Sequence, residues 1–325
     1  MNHKIKSGIK YFVLLLVAAI IGVLSYVSFA LPDVGEPEDI KVEITPKRLE
    51  RGSYLANSVA NCTDCHSERD WNKFTGPLVK SSLGKGGHEF NQESGFPGKF
   101  YAKNITPFAL KDWTDGEILR AVTAGVNKDG KALFPIMPHP NFGKLDREDI
   151  YSIIAYLRTL TPIENVVPES EPDFPMNFII NTIPQKPSFT KIPDPANQVA
   201  YGAYLFTAAS CGECHTKKVK GTPVAGMELA GGFEFPMPHG GTARSANITP
   251  DMETGIGSWS EEAFLQRFKV YSDSAYKPVD VKHGEFNTMM PWTSFSTMKT
   301  DDLKAIYAYL RTVKPIKNQV TKFSK

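Results

Sequence analysis

The sequence Cys62-Thr63-Asp64-Cys65-His66 recurs, with its two middle positions changed, as Cys211-Gly212-Glu213-Cys214-His215. In a Cys-x-x-Cys-His run the two thiols can bond to the vinyl groups of a haem while the adjacent histidine binds the iron, so the pattern predicts c-type haem attachment. Two chance runs are improbable in a chain with only 4 Cys and 7 His. The alternatives are a zinc site or a redox dithiol, and neither requires a histidine directly after both cysteine pairs. We therefore expect two haem c groups, held covalently by Cys62, Cys65, Cys211 and Cys214, with His66 and His215 as the first axial ligands.

The two motifs belong to a longer internal repeat. A Gly-x-Tyr-Leu segment precedes each of them, and Asn-Ile-Thr-Pro, Trp-Thr/Ser, Met-Pro and Tyr-Leu-Arg-Thr segments follow in the same order. Asn104-Ile105-Thr106-Pro107, for example, recurs as Asn247-Ile248-Thr249-Pro250. Duplication of one domain explains this order.

The second axial ligand decides whether each iron is closed, as in an electron carrier, or open to an external ligand. Met137-Pro138 and Met290-Pro291 occupy the same place in the two repeats, each 19 residues before the tyrosine of Tyr-Leu-Arg-Thr. A thioether is a soft ligand suited to reduced iron, and the following proline stiffens the loop that carries it. We expect Met137 and Met290 to be the sixth ligands, the alternative being methionines that only fill gaps in the core.

The other histidines of the two repeats do not form a matching pair. His88, His139, His239 and His283 each lack a histidine at the equivalent place of the other repeat. We expect surface positions or supporting contacts for these four, rather than binding to iron.

Residues 11–31 form an uncharged apolar run that follows Lys4, Lys6 and Lys10. As a helix rising about 1.5 Å per residue, the run would be roughly 30 Å long, which matches the bilayer core. The lysines predict that residues 1–10 are a cytoplasmic tail and that the rest of the chain lies outside. The alternative is a cleaved signal peptide, because Ser28-Phe29-Ala30 resembles a cleavage site. In both interpretations the chain after residue 31 lies outside the cytoplasm.

The remainder of the chain has the composition of a globular protein without a nucleic-acid footprint. Over the full chain 37 basic and 35 acidic residues nearly balance, and 41% of the residues are hydrophobic. A near-neutral body indicates protein partners rather than nucleic acid or an anionic surface.

We predict an all-α fold of two tandem domains after the transmembrane helix. Each domain shows three helices: the first, over 47–60 or 197–209, contains a glycine that indicates close packing. The second begins at Thr114, where Glu117 completes a capping box, or at Ser260, and the third covers 146–159 or 300–312. The predicted segments are an extended stalk at 32–46, domain 1 at 47–164, a proline-rich extended connector at 165–196 and domain 2 at 197–318.

Taken together, the ordered segments resemble class I c-type cytochrome domains, most closely those in the cytochrome subunits of membrane-bound bacterial alcohol, aldehyde and sugar dehydrogenases. The resemblance covers about 47–318 and implies a small helical fold around each haem. It also implies a non-catalytic electron carrier at the bacterial inner membrane with its haem domains in the periplasm. Its redox partner would be a dehydrogenase subunit, quinone, an oxidase or a small cytochrome. Two alternatives remain open: an electron-entry subunit of a terminal oxidase, and a dihaem peroxidase with one open iron.

Overall fold

The computed structural model describes residues 3–325, so Met1 and Asn2 of the predicted cytoplasmic tail lie outside the described residues. The fold is mostly helical. The helices are α1 (His3–Phe29), α2 (Pro46–Tyr54), α3 (Cys62–Cys65), α4 (Pro107–Leu110), α5 (Asp115–Ala124), α6 (His139–Phe142), α7 (Arg147–Leu157), α8 (Met176–Ile179), α9 (Gln198–Ala208), α10 (Cys211–His215), α11 (Glu261–Lys269), α12 (Trp292–Phe295) and α13 (Thr300–Leu310).

Short strands depart from the predicted all-α fold. They are β1 (Glu89–Phe90), β2 (Gly98–Tyr101), β3 (Glu171–Pro172), β4 (Lys218–Val219), β5 (Thr222–Pro223), β6 (Glu234–Pro236), β7 (Thr242–Arg244) and β8 (Phe323–Ser324). They form two three-stranded sheets, β1-β2-β3 and β6-β7-β8, and the two-stranded β4-β5, with neighbouring strands antiparallel. These strands are only two to four residues long, too short to give an alternating pattern in the sequence.

Helix α1 is long and apolar enough to span a membrane over Ser7–Phe29. The helix begins before the predicted apolar run and ends two residues earlier, at Phe29. Its end agrees with the sequence, because Pro32 disfavours helical backbone at the residue before it.

Each half of the body is built on one tight helix crossing, α2 against α7 and α9 against α13. A Cβ on Gly52 would lie 1.8 Å from the carbonyl oxygen of Ser152, and one on Gly202 would lie 1.8 Å from that of Ala305. The predicted close packing at these glycines is confirmed. The first helix itself differs from the prediction, because its continuation at Leu55–Val59 is a π-helical turn.

The caps of the second helices follow the sequence. Thr114 and Glu117 form the predicted capping box of α5, and the Ser260 side chain accepts a hydrogen bond from the Ala263 backbone N–H at the start of α11. Asp146 caps α7 in the same way through the Glu148 N–H.

The segment predicted as a stalk is extended, but it is docked on the first half. The Val42 N–H donates to Asp115 at 2.8 Å and Glu38 pairs with Arg147 at 2.6 Å. The Glu38 carbonyl lies so close to Gly116 that a Cβ there would be 1.8 Å away. The segment is therefore part of the domain surface, because these long-range contacts give its backbone groups partners.

The proline-rich connector is not extended throughout. Its strand β3 pairs with β2, and helix α8 continues into a 3₁₀ turn at Ile180–Thr182. Ile180 is buried and, beyond it, the Ser188 N–H donates to the Gly143 carbonyl at 2.8 Å, so the connector contacts the first half of the body.

The two halves meet in a reciprocal interface. The Tyr54 hydroxyl of the first half donates to Asp302 of the second at 2.5 Å, and the Tyr204 hydroxyl of the second donates to Asp149 of the first at 2.6 Å. Tyr54 and Tyr204 follow the glycines of the two crossings, so equivalent positions make equivalent contacts. This interface has the form of an approximate two-fold contact.

Candidate functional site

Both Cys-x-x-Cys-His motifs form a single helical turn, α3 or α10, that begins after a residue with left-handed backbone. Asn61 has φ +51° and Ser210 has φ +53°. Within one turn the two cysteines are three residues apart and lie on the same helix face. Cys62 and Cys211 are half-buried and the second cysteine of each motif is exposed. The arrangement gives each half two thiols and an imidazole on one short segment.

Each motif histidine is oriented by a backbone carbonyl. The Nδ1 atom of His66 lies 2.6 Å from the Lys103 oxygen, and that of His215 lies 2.8 Å from the Ala246 oxygen. A carbonyl only accepts hydrogen bonds, so Nδ1 carries the proton and Nε2 is left with a free lone pair. Burial lowers the pKa of both imidazoles, which keeps them neutral. A neutral imidazole with its second nitrogen anchored in this way is suited to bind a metal ion.

A glycine fixes the backbone around each histidine. The N–H groups of Gly86 and Gly231 donate to the carbonyls of His66 and His215, both at 2.8 Å. Both glycines have left-handed backbone, φ +71° and +75°, and a Cβ on either would come within 2.5 Å of the chain that supplies the orienting carbonyl. Only glycine fits this position without moving that chain.

The Asn-Ile-Thr-Pro segments hold the orienting carbonyls, a role that their recurrence in the sequence did not reveal. Asn104 accepts hydrogen bonds from the N–H and hydroxyl of Thr106 at 2.9 and 2.7 Å and donates to the Ile163 carbonyl at 2.8 Å. Asn247 makes the same bonds with Thr249 and donates to the Ile316 carbonyl at 2.7 Å. Lys103 and Ala246 directly precede these asparagines. The recurrence of Asn-Ile-Thr-Pro could have indicated this role. The carbonyls that the asparagines bind, however, are those of Ile163 and Ile316, which follow the last helix of each half and are distant in sequence.

The predicted methionine ligands lie in equivalent loops. Met137 and Met290 are half-buried against the hydrophobic core that Cys62 and Cys211 also contact. Each methionine carbonyl accepts a hydrogen bond from the N–H two residues on, at 2.7 Å for Met137 and 2.8 Å for Met290. Met298 and its counterpart Leu145, in contrast, are fully buried in the core.

The loop of Met290 receives an additional contact from the first half. The hydroxyl of Thr75, a fully buried residue, donates to the Met290 carbonyl at 2.6 Å and accepts from the Trp292 N–H at 3.2 Å. The Thr75 N–H donates in turn to Asn287 at 2.8 Å. Within residues 3–325, no side-chain hydrogen bond of this kind reaches the carbonyl of Met137. The two methionine loops are therefore supported differently.

His139 is almost fully buried, with 1% exposure, so of the two predicted positions it does not occupy the surface one. Its ring packs against Gly125, where a Cβ would lie 2.5 Å from the imidazole. The equivalent residue in the second half is Trp292, so a ring fills this place in both halves.

A variable residue of each motif touches the other half. Asp64 accepts a hydrogen bond from Ser294 at 3.2 Å, and Glu213 accepts one from Asn141 at 3.3 Å. Ser294 and Asn141 lie on the short helices that follow the two Met-Pro segments. Both motifs are thus located at the interface between the halves.

Comparison with known proteins agrees with this geometry. The cytochrome c family model matches residues 199–314. The chain is 27% identical over 290 residues to the cytochrome c subunit of alcohol dehydrogenase (quinone) from Gluconacetobacter polyoxogenes, covering 82% of this chain and 56% of the relative. It is 29% identical over 287 residues to the fructose dehydrogenase cytochrome subunit of Gluconobacter japonicus, covering 82% and 52%. A dihaem c-type cytochrome of Cereibacter sphaeroides is 28% identical over 268 residues, covering 78% of this chain and 82% of the relative.

The chain spans a little over half the length of the dehydrogenase subunits that it matches. Residues 199–314 form a cytochrome c domain, so the predicted resemblance is confirmed. A cytochrome c domain carries covalently bound haem c, whose iron serves in electron transfer.

Proposed function

We propose that this chain is a membrane-anchored dihaem cytochrome c that transfers electrons between a dehydrogenase, or quinone, and a downstream acceptor. Both halves, 47–164 and 197–318, are cytochrome c domains in this proposal. Cys62, Cys65, Cys211 and Cys214 attach the two haems, and the axial pairs are His66 with Met137 and His215 with Met290. The protein is then an electron carrier and not itself a catalyst.

The match to the cytochrome c family covers residues 199–314, in the second half. One observation extends the proposal to the first half. The histidine of each motif is anchored through Nδ1 to a carbonyl, and the same asparagine, threonine and glycine contacts surround that carbonyl in both halves. A histidine without a metal-binding role has no need for such an arrangement twice. The haem iron would supply the one-electron chemistry, while the chain holds the imidazoles neutral and excludes water with its core.

The relatives support the choice of partner. Three of them are named as cytochrome subunits of alcohol, fructose and gluconate dehydrogenases. By analogy, the donor of electrons to this chain is a dehydrogenase subunit, and the acceptor is an oxidase or a small cytochrome. In this proposal helix α1 anchors the chain in the bacterial inner membrane, and the lysines before it support a periplasmic location for the haem domains.

The first test is the number of haems and their coordination in the purified, matured protein. We expect two covalent haems per chain, and one after the double substitution Cys62→Ala/Cys65→Ala. We also expect neither reduced haem to bind carbon monoxide, because Met137 and Met290 close both irons. Two haems remaining after that substitution, or only one in the parent protein, would refute the first site, and ready binding of carbon monoxide would favour peroxidase chemistry.

A further inference from the structure

The connector meets the end of α1. Helix α8 and the 3₁₀ turn after it both contact α1, and the Asn181 side chain donates to the Val27 carbonyl at 3.2 Å. Val27 lies in the last turn of α1, where backbone carbonyls have no partner within the helix. Asn181 therefore holds the connector at the point where the candidate membrane span stops.

The connector exposes apolar side chains at this point. Phe174 is 81% exposed and Ile179 is 44% exposed, and Phe174 packs edge-on against Phe178 with ring centroids 6.2 Å apart. We call these three residues the connector patch. Beside it, Phe29 at the end of α1 is 89% exposed.

The patch is held on both sides. Strand β3 pairs with β2 before it, and after it the Ser188 N–H donates to the Gly143 carbonyl of the first half at 2.8 Å. Exposing these aromatic side chains to water costs free energy. Because the chain is fixed on both sides of them, no gain in conformational entropy offsets that cost. Such a surface indicates a partner.

We propose that the connector patch lies in the interfacial layer of the lipid bilayer, as a second membrane contact beside α1. This inference rests on the proposed anchor, because the bilayer is located only by α1. Aromatic and aliphatic side chains are favoured at this depth, between the apolar core and the water. Asp173 and Glu171 are exposed beside the patch, so the attraction is apolar and does not require anionic lipid.

Two points of attachment would orient the body. A single helix leaves the domains free to rotate about its end, whereas a second contact fixes one face toward the membrane. The haem motifs would then meet a membrane-bound partner from a defined direction.

The test uses the full-length, haem-loaded protein in phosphatidylcholine vesicles. A dansyl-bearing amino acid is introduced by stop-codon suppression at position 174, at 15 within α1, or at 166. Val166 is a matched control, because it belongs to the same connector and is 85% exposed. Lipids with a nitroxide near the headgroup then quench any probe that lies in the bilayer.

We expect quenching at positions 15 and 174 and none at 166, with no change when anionic lipid is added. Quenching at 15 with position 174 behaving like 166 would overturn the second contact while the anchor stands. Absence of quenching at 15 would overturn the proposed anchor and the second contact with it.

Discussion

At the residue scale, the orientation of each motif histidine depends on backbone atoms rather than on side chains with their own chemistry. The carbonyls of Lys103 and Ala246 accept from Nδ1, and Gly86 and Gly231 allow those carbonyls to approach. Substitutions that leave every proposed ligand unchanged can therefore still disturb the site.

Gly86→Ala tests this dependence in the first half. Both Gly86 and Gly130 have left-handed backbone, so alanine costs about 1–2 kcal/mol of strain at either position. At Gly86 the added Cβ also meets the Asn104 nitrogen at 2.5 Å, whereas Gly130 faces open space. We expect Gly86→Ala to lower the free energy of unfolding by about 1–3 kcal/mol more than Gly130→Ala, the usual range for overpacking. Denaturant unfolding measures this, and equal losses at the two sites would contradict it.

Thr75→Val tests the contact between Thr75 and the Met290 loop. Valine keeps the shape of threonine but removes the hydroxyl from the Trp292 N–H and the Met290 carbonyl, which still bond to each other, at a cost of about 0.5–1.5 kcal/mol for each lost bond. We expect the reduced second haem to become accessible to carbon monoxide while the first stays closed. The matched control is Thr123→Val, because the Thr123 hydroxyl is also buried but donates only to the Leu119 carbonyl of its own helix. Carbon monoxide binding in neither variant would show that Thr75 does not position Met290.

At the scale of the elements, the helix crossings are the least tolerant part of the fold. We expect Gly52→Ala to cost about 3 kcal/mol or more, because its Cβ would lie 1.8 Å from the Ser152 oxygen and neither backbone can yield without separating α2 from α7. Glu50→Ala, at an exposed position of the same helix, controls for helix propensity and should leave stability nearly unchanged. The midpoint of thermal unfolding followed by circular dichroism distinguishes the two. A stable, fully helical Gly52→Ala protein would contradict the crossing.

The elements that the sequence predicted are those specified by local chemistry. Helix α7 has an apolar face and an acid at its cap, and Thr114 with Glu117 marks the start of α5 within four residues. The docked stalk could not be predicted, because it depends on the approach of the Glu38 carbonyl to Gly116, far along the chain. The contact of Thr75 with Met290 is still more distant in sequence, at 215 residues, and residues 3–325 show no equivalent of it at Met137. Repetition thus identified the candidate ligands, while the contacts that distinguish the two halves depend on tertiary structure.

At the scale of the whole molecule, the interface joins the two motifs into one unit. The Tyr204–Asp149 bond is almost fully buried, and Asp149 is also held by Arg51 at 2.7 Å. Burial, followed by the charge of the adjacent aspartate, raises the pKa of Tyr204 well above its ordinary range, so its hydroxyl stays protonated and donates. Hydrogen bonds between neutral donors and buried carboxylates are among the stronger ones in proteins.

We predict that this interface couples the unfolding of the halves. Tyr54→Phe and Tyr204→Phe each remove one bond to a carboxylate without changing the ring, and each should cost about 1.5–3 kcal/mol. With both bonds lost, we expect the single unfolding transition of the parent protein to separate into two, seen by circular dichroism and by haem absorbance. Tyr101→Phe removes an exposed bond to Glu89 and should leave the transition unchanged. Because the two bonds join the same interface, either single substitution weakens that interface. Two unfolding transitions already present in the parent protein would show instead that the halves fold independently.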